Sequence, residues 1–264
     1  MTAFSAERAA AALMGARRAL PSSRRLLASL PPGARPETMA EGIAAQVALA
    51  HLSDSAAPAG FKIGATAARM QHYLGLDGPA AGFMPRDGLH ASGSTLSYDS
   101  FFNPGVECEL AVHLAHDLPP GPCSQEQAGA AVDLLMTGIE IVERRYDDLA
   151  VLGTPTLVAD QVFHAGAVLS TPVADWHYLD LASIHGEIVV NGMVAGGGTG
   201  GDLLGHPLAA LAWLASSAEA AAFGGLRAGQ VVMLGSVCPP IWLTGPADIE
   251  VRFSPLHAVT LELV

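Results

Sequence analysis

From about residue 60 onward the chain runs in short apolar stretches, many of them β-branched, broken every few residues by glycine or proline. That punctuation predicts a strand-rich body with inserted helices. Residues 1 to about 58 read differently, as two helical patterns separated by Leu30-Pro31-Pro32-Gly33, the second running from about Pro36 to Leu52. The seam falls near residue 60, which divides the chain into a helical region, 1–60, and a body, 61–264. Within the body, Val106 to Leu114 alternates strictly. Val106, Cys108, Leu110, Val112 and Leu114 face one way, and Glu107, Glu109, Ala111 and His113 face the other. Ser124-Gln125-Glu126-Gln127 is a capping box that opens a helix, predicted to end near Thr137-Gly138 and hand over to a strand Ile139–Val142 carrying Glu140 among aliphatics. Gly186 to Val194 reads as a hairpin, because Asn191-Gly192 supplies the two positive-φ residues of a type I′ turn. Pro207 opens a helix that passes through Trp213 and stops at Gly224-Gly225. Strands Gln230–Leu234, Asp248–Phe253 and Ala258–Leu263 close an α+β fold.

Composition narrows the partners. With 264 residues, half of them hydrophobic and 14% charged, the chain can bury a large core as one globular body. A net charge of −12 leaves no basic stripe for phosphates, so nucleic acid and anionic membrane are excluded as expected partners and small molecules remain. Cys108, Cys123 and Cys238 form no C-x-x-C, which argues against a disulfide framework or a thiolate zinc site and fits a reducing cytoplasm. The first thirty residues carry Glu7, Arg8, Arg17, Arg18, Arg24 and Arg25 among alanines and leucines, an amphipathic pattern without a secretory apolar core. No later stretch reads as a bilayer span, and a soluble protein is expected.

Lys62 is the only lysine, and it sits in the apolar run Phe61-Lys62-Ile63-Gly64. A strand-end lysine reaching for water is one reading; a chemical role beside Glu107, Glu109 and Glu140, carboxylates likewise set in apolar runs, is the other. Glu107 and Glu109 on one strand face, joined by Glu140 from a second strand, are a hard oxygen set that suits Mg²⁺ or Mn²⁺ rather than zinc. An isolated Glu-x-Glu also marks a solvated sheet face.

Whole segments sharpen the choice. Lys62-Ile63-Gly64-Ala65-Thr66, Leu74-Gly75-Leu76-Asp77, Val106-Glu107-Cys108-Glu109-Leu110-Ala111, the segment around Glu140, Val158-Ala159-Asp160, Gly205-His206-Pro207-Leu208 with Trp213-Leu214-Ala215, and Leu226 to Ser236 form a series. From about residue 36 to the C-terminus, this series resembles the 2-keto-4-pentenoate hydratase and 4-oxalocrotonate decarboxylase branch of the fumarylacetoacetate hydrolase superfamily. The resemblance implies a strand-rich mixed β-sandwich or roll body, a homo-oligomer, a divalent cation held by Glu107, Glu109 and Glu140, and Lys62 beside a 2-hydroxydienoate or its 2-oxo tautomer. It further implies a hydratase of aromatic-compound catabolism or a related pathway, with a 2-oxo-enedioate decarboxylase and a non-catalytic relative as alternatives.

Departures from the family pattern bear on proton handling. Pro79-Ala80-Ala81-Gly82 lacks the acidic residue that hydrating relatives often carry, and Gln161 and His164 replace residues usual after Val-Ala-Asp. Asp87 and His164 are therefore further catalytic candidates. Arg145 is a candidate carboxylate clamp, because a guanidinium forks onto two oxygens, and Asp160 a candidate partner for it. In Gly196 to Gly201, Gly198 and Thr199 are candidates for substrate contact through a glycine-rich lid or a nest of N–H groups. His206 is expected to cap the helix that Pro207 begins.

Overall fold

The computed structural model describes residues 3–18 and 27–264. Two helices lead, α1 (Ala6–Arg18) and α2 (Met39–Leu52). Arg24 and Arg25 of the predicted N-terminal pattern lie outside the described residues. The second helix starts at Met39 rather than Pro36 because Thr38 and Glu41 close a capping box, each side chain accepting the other's backbone N–H.

The body follows as β1 (Gly60–Gly64), α3 (Ala68–Leu74), β2 (Ala80–Met84), β3 (Leu89–Ala91), β4 (Ser94–Leu96), β5 (Pro104–Leu114), α4 (Gln125–Ala130), β6 (Val132–Glu143), α5 (Leu149–Leu152), α6 (Thr154–Ala159) and β7 (His164–Leu169). It closes with β8 (His185–Val190), β9 (Met193–Thr199), α7 (Pro207–Ala215), α8 (Ala218–Ala222), β10 (Val231–Ser236), β11 (Ile241–Trp242), β12 (Ala247–Phe253) and β13 (Val259–Leu263). Among the described residues the strands form an eight-stranded sheet in the order β2-β1-β10-β5-β6-β7-β3, with β11 paired to β5, and a five-stranded sheet in the order β4-β13-β12-β8-β9. The larger sheet is mixed, since β1 runs parallel to β10 while β5 and β6 are antiparallel.

The apolar face of β5 does what its alternation demands. Val106, Cys108, Leu110, Val112 and Leu114 are buried in one core with Ile249, Val251 and Phe253 of the second sheet. Each large aliphatic in such a place stabilises the fold by about 1.5–3 kcal/mol, and the period of two then turns Glu107 and Glu109 to the sheet's other side. The helical region is tied to the body through Gln46. Its Nε2 donates to the carbonyls of Ala81 (3.0 Å) and Val158 (2.6 Å), and its Oε1 accepts from Phe83 N–H (3.2 Å).

Three elements differ from expectation. The helix begun by the Ser124 capping box ends at Ala130, and the strand runs the full length Val132–Glu143. Leu134-Leu135-Met136 has helical propensity, but pairing along β5 from Pro104↔Glu143 to Leu114↔Val132 overrides it. The helix from Pro207 breaks at Ser216-Ser217, where Ser217 accepts from Ala220 N–H and starts α8, and the predicted stop at Gly224 holds, with φ +81°. The glycine run is no lid: Gly196, Gly197 and Gly198 pair with Ile188, Glu187 and Gly186 as strand β9. A Cβ on Gly198 would lie 2.1 Å from the Val237 carbonyl oxygen, so close backbone approach is what requires glycine there. The Asn191-Gly192 turn has φ values of 51° and 77°, as the type I′ reading required.

Candidate active site

Strand register assembles the acidic cluster. Glu107 on β5 faces Glu140 on β6 as a direct cross-strand pair, and Glu109 lies one pleat along the same face. The three carboxylates each offer an oxygen within 4.8 Å of the others. Two strands over in the same sheet, Lys62 on β1 extends to this point, its Nζ 3.2 Å from Glu140 Oε1. Neither partner is solvated, with side-chain exposures of 2% and 0%. Gly64 makes this reach possible. A Cβ there would meet Val162 Cγ1 at 2.8 Å and Lys62 Nζ at 3.2 Å.

The remaining polar atoms are only partly satisfied. Gly235 N–H donates to Glu109 Oε2 (2.9 Å) and His164 Nδ1 lies 2.9 Å from Glu140 Oε1. Burial, reinforced by the Lys62 charge, holds His164 well below the ordinary histidine value, so the ring is neutral. Its Nδ1–H is then the donor, since an ionised carboxylate only accepts. Glu109 Oε1, Glu140 Oε2 and His164 Nε2 are buried without a hydrogen-bond partner. Such atoms are costly unless something binds them.

The electrostatics are lopsided in the same direction. Burial and the Glu140 charge push the Glu107 carboxyl up to about 8, and burial with Glu140 and Glu107 pushes Glu109 well above the carboxylate range. Burial alone would lower the Lys62 ammonium, but Glu140, Glu107 and Glu109 outweigh it and raise its value, so Lys62 stays cationic. Three carboxylates thus share one ammonium. Hard oxygen donors, carboxyls pushed upward for want of positive charge and two orphaned carboxylate oxygens together fit a small divalent cation.

Beside the cluster lies a cavity of about 700 Å³ whose lining includes the buried Lys62 and half-buried Glu107. Val162 and Phe163 form part of its wall, in a run where Gln161, Val162 and Phe163 have φ of 59°, 52° and 68°. Left-handed backbone at non-glycine residues costs on the order of 1–3 kcal/mol each and collects at functional sites. Gln161 anchors the run by donating from Nε2 to the Phe83 carbonyl (2.7 Å).

The architecture has known counterparts. Residues 62–261 match the family described as fumarylacetoacetate (FAA) hydrolase, C-terminal. The chain belongs to the fumarylacetoacetate hydrolase family. A 2-hydroxyhexa-2,4-dienoate hydratase of Comamonas testosteroni is 32% identical over 197 residues, covering 74% of this chain and 72% of the relative. A 4-oxalocrotonate decarboxylase of Pseudomonas putida is 26% identical over 206 residues, covering 78% and 77%. Among solved structures, the 4-oxalocrotonate decarboxylase from Pseudomonas putida G7 complexed with magnesium and adipate has a TM-score of 0.86 over 100% of both chains at 22% identity, a likeness of fold.

In this member of the fumarylacetoacetate hydrolase family the other candidates fall into different places. Arg145 and Asp160 meet each other: Arg145 Nε donates to Asp160 Oδ2 (2.7 Å), Nη1 to Glu143 Oε2 (2.8 Å) and both Nη atoms to the His164 carbonyl (3.2 Å). Arg17 of α1 also donates to Asp160, and Tyr146 Oη donates to Asp160 Oδ2 (2.6 Å). Asp87 is exposed on a 3₁₀ turn, Arg86–Gly88, apart from the residues lining the cavity. Thr199 and Gly198 stand on the second sheet, where Thr199 N–H (2.7 Å) and Oγ1 (3.2 Å) are bound to Asp202 Oδ2. His206 Nδ1 accepts from Leu208 N–H (3.0 Å) and caps α7 as expected. Ala80 is fully buried opposite Gly64. Sequence reasoning missed Tyr146, Val162 and Phe163. The tyrosine directly after Arg144-Arg145 was a usable signal, whereas nothing in the hydropathy of Val162 announces a left-handed backbone.

Proposed function

We propose that the protein is a divalent-metal-dependent hydratase, a lyase that adds water to a small 2-hydroxydienoate by way of its 2-oxo-enoate tautomer. The observation that supports this reading is the cluster itself: three mutually close carboxylates, with a cationic lysine beside them, bordering a cavity of about 700 Å³. Glu107, Glu109 and Glu140 would hold Mg²⁺ or Mn²⁺, which would supply Lewis-acid stabilisation of charge at the substrate's 2-oxygen.

The chain's own residues supply charge stabilisation, orientation and exclusion of solvent. In the first half the dienol loses its 2-hydroxyl proton and gains one at C5, giving the conjugated 2-oxo-3-enoate. In the second, the hydroxyl of water adds at C4 and a proton at C3. Negative charge builds on the same oxygen in both halves, and Lys62, kept cationic and dry, stabilises it electrostatically. Its raised pKa suits this task better than that of a base. His164 holds Glu140 in one orientation through Nδ1–H. The buried walls on either side, including Val162, shed competing solvent.

A 2-oxo-enedioate decarboxylase needs a cation for the second carboxylate, and the Arg145 fork is committed to Asp160, Glu143 and the His164 carbonyl. The hydratase reading also accords with the relative at 32% identity. To the same reading belong a homo-oligomeric state and a reducing cytoplasmic setting, in which Cys108, Cys123 and Cys238 stay free thiols. No helix among the described residues is long and apolar enough to cross a membrane.

The test is to incubate purified protein with 2-hydroxypenta-2,4-dienoate and with a 2-oxo-enedioate, each with and without Mg²⁺ or Mn²⁺, following dienol loss and CO₂ release separately. Metal-dependent dienol loss without CO₂ is expected. CO₂ release from the enedioate with no hydration would make the enzyme a decarboxylase, and metal binding without turnover of either would remove both enzyme readings.

A further inference from the structure

We infer that the site takes a 2-oxo or 2-hydroxy acid with a bulky apolar tail, an aryl or branched alkyl group, rather than a short or ω-carboxylated chain. This rests on the hydratase reading and names the substrate class for that same site. Three observations carry it. The cavity volume of about 700 Å³ falls well inside the range of about 300–1,000 Å³ that holds drug-sized ligands. A five-carbon acid would leave most of it filled with water.

The lining joins the acid-binding cluster to carbon surface. Lys62 and Glu107 line the cavity, and Met70, Leu74, Leu149, Phe163 and Trp242 line it with apolar side chains. Trp242 is 43% exposed and Tyr73 76% exposed at the mouth. Trp242 is fixed there: β11 pairs it with Gly105, and the indole lies where a Gly105 Cβ would sit, 2.8 Å from Trp242 Cε3. A rigid, half-exposed indole gains most from an apolar or aromatic group laid against it.

Charge at the mouth disfavours the alternative. The basic side chains lining the cavity there are the exposed Arg144 and His72, and the exposed Asp147 and Asp148 line it beside them. A distal carboxylate would meet one arginine in the company of two aspartates. That is a poor anion site, since neighbouring carboxylates cancel the guanidinium's attraction. An uncharged tail is indifferent to this arrangement.

Binding and turnover test the inference separately from the reaction. With Mg²⁺ present, calorimetric titration with the unreactive analogues 2-oxopentanoate, 2-oxo-5-phenylpentanoate and 2-oxohexanedioate should give the phenyl compound at least about tenfold tighter binding than 2-oxopentanoate, a discrimination within reach of an apolar pocket. The dioate should bind no tighter than 2-oxopentanoate. Equal or weaker binding of the phenyl analogue, or tightest binding of the dioate, overturns the inference. Trp242→Ala and, separately, Tyr73→Ala should cut the phenyl advantage to about threefold or less; an undiminished advantage in both variants also overturns it. Hydration of 2-hydroxypenta-2,4-dienoate and of 2-hydroxy-6-phenylhexa-2,4-dienoate completes the set, with the larger kcat/KM expected for the phenyl substrate. If neither turns over while the analogues keep the expected order, the hydratase reading falls and the tail preference stands.

Discussion

Two buried ionic clusters lie on either side of His164, and they are built on opposite principles. In one, Arg17 and Arg145 face Asp160 and Glu143, with Tyr146 Oη donating into the same carboxylate. Positive and negative charges are matched. Burial alone would raise Asp160, yet Arg145 and Arg17 hold it below the usual carboxylate range. In the other, Glu107, Glu109 and Glu140 confront Lys62 alone, and Glu107 and Glu109 are driven upward. His164 touches both, accepting from Arg145 at its carbonyl and donating to Glu140 from its ring. Comparable burial with opposite shifts separates a network that holds the fold together from one that is complete only with a ligand.

Exchanging the damage between the clusters gives the largest contrast. Glu140→Ala should abolish turnover and weaken Mg²⁺ binding by more than the ~10–100-fold that loss of a supporting contact costs, as read by metal titration. Asp160→Asn should instead cost about 3–5 kcal/mol of stability, because two arginines lose their buried counter-charge. Its surviving folded fraction should still bind metal; a variant with native stability and lost metal affinity would erase the distinction.

Lys62→Met comes next. Turnover should drop by roughly 10²–10³-fold, the scale of a lost transition-state charge contact, while Mg²⁺ affinity stays level or rises as a competing cation disappears. Unaltered steady-state rates would return Lys62 to a packing role. For His164→Asn the expected loss is smaller, about 10–100-fold in metal affinity, and a native metal titration would show that the ring does not orient Glu140.

The smallest effect is one of pH. Burial and the Glu140 charge push the Glu107 carboxyl in the folded protein up to about 8 from an ordinary value of 4.5. Between these values the folded state binds more protons than the unfolded one, so metal-free stability should fall as pH rises from about 5 to 8. The expected decline is about 2–4 °C in Tm for each ~1 kcal/mol lost. Saturating Mg²⁺ should remove it, since metal displaces those protons. The matched cluster behaves in the reverse sense: Asp160, held low, contributes stability that is lost only as pH falls through its depressed value, with or without metal. Thermal scans with EDTA and with Mg²⁺ across pH 4 to 9 measure both limbs.

How much of this was legible in the chain depends on the range of the interaction. The alternation of β5, the Asn191-Gly192 turn and the His206 cap were readable because each is settled within a few residues. The end of α4 was misread because the extended state of Leu134 to Thr137 is imposed by β5, far away in sequence. The glycine run was misread as a lid for the same reason: its glycines answer to the Gly186 and Val237 backbones, not to local freedom. Arg145 could be singled out from its place beside Glu140, but its commitment to Asp160 could not, since Arg17 and Tyr146 join only in three dimensions.

The sequence alone determined the inventory: one lysine in an apolar run, two glutamates on one strand face and a third among aliphatics. Those choices are local, and side-chain periodicity enforces them. Tertiary structure decided the rest. The β5–β6 register set Glu107 against Glu140, the bare Cα of Gly64 let Lys62 reach the cluster, and residues from distant segments closed a cavity beside it. Distance between strands, unlike direction along one, is fixed only when the core closes.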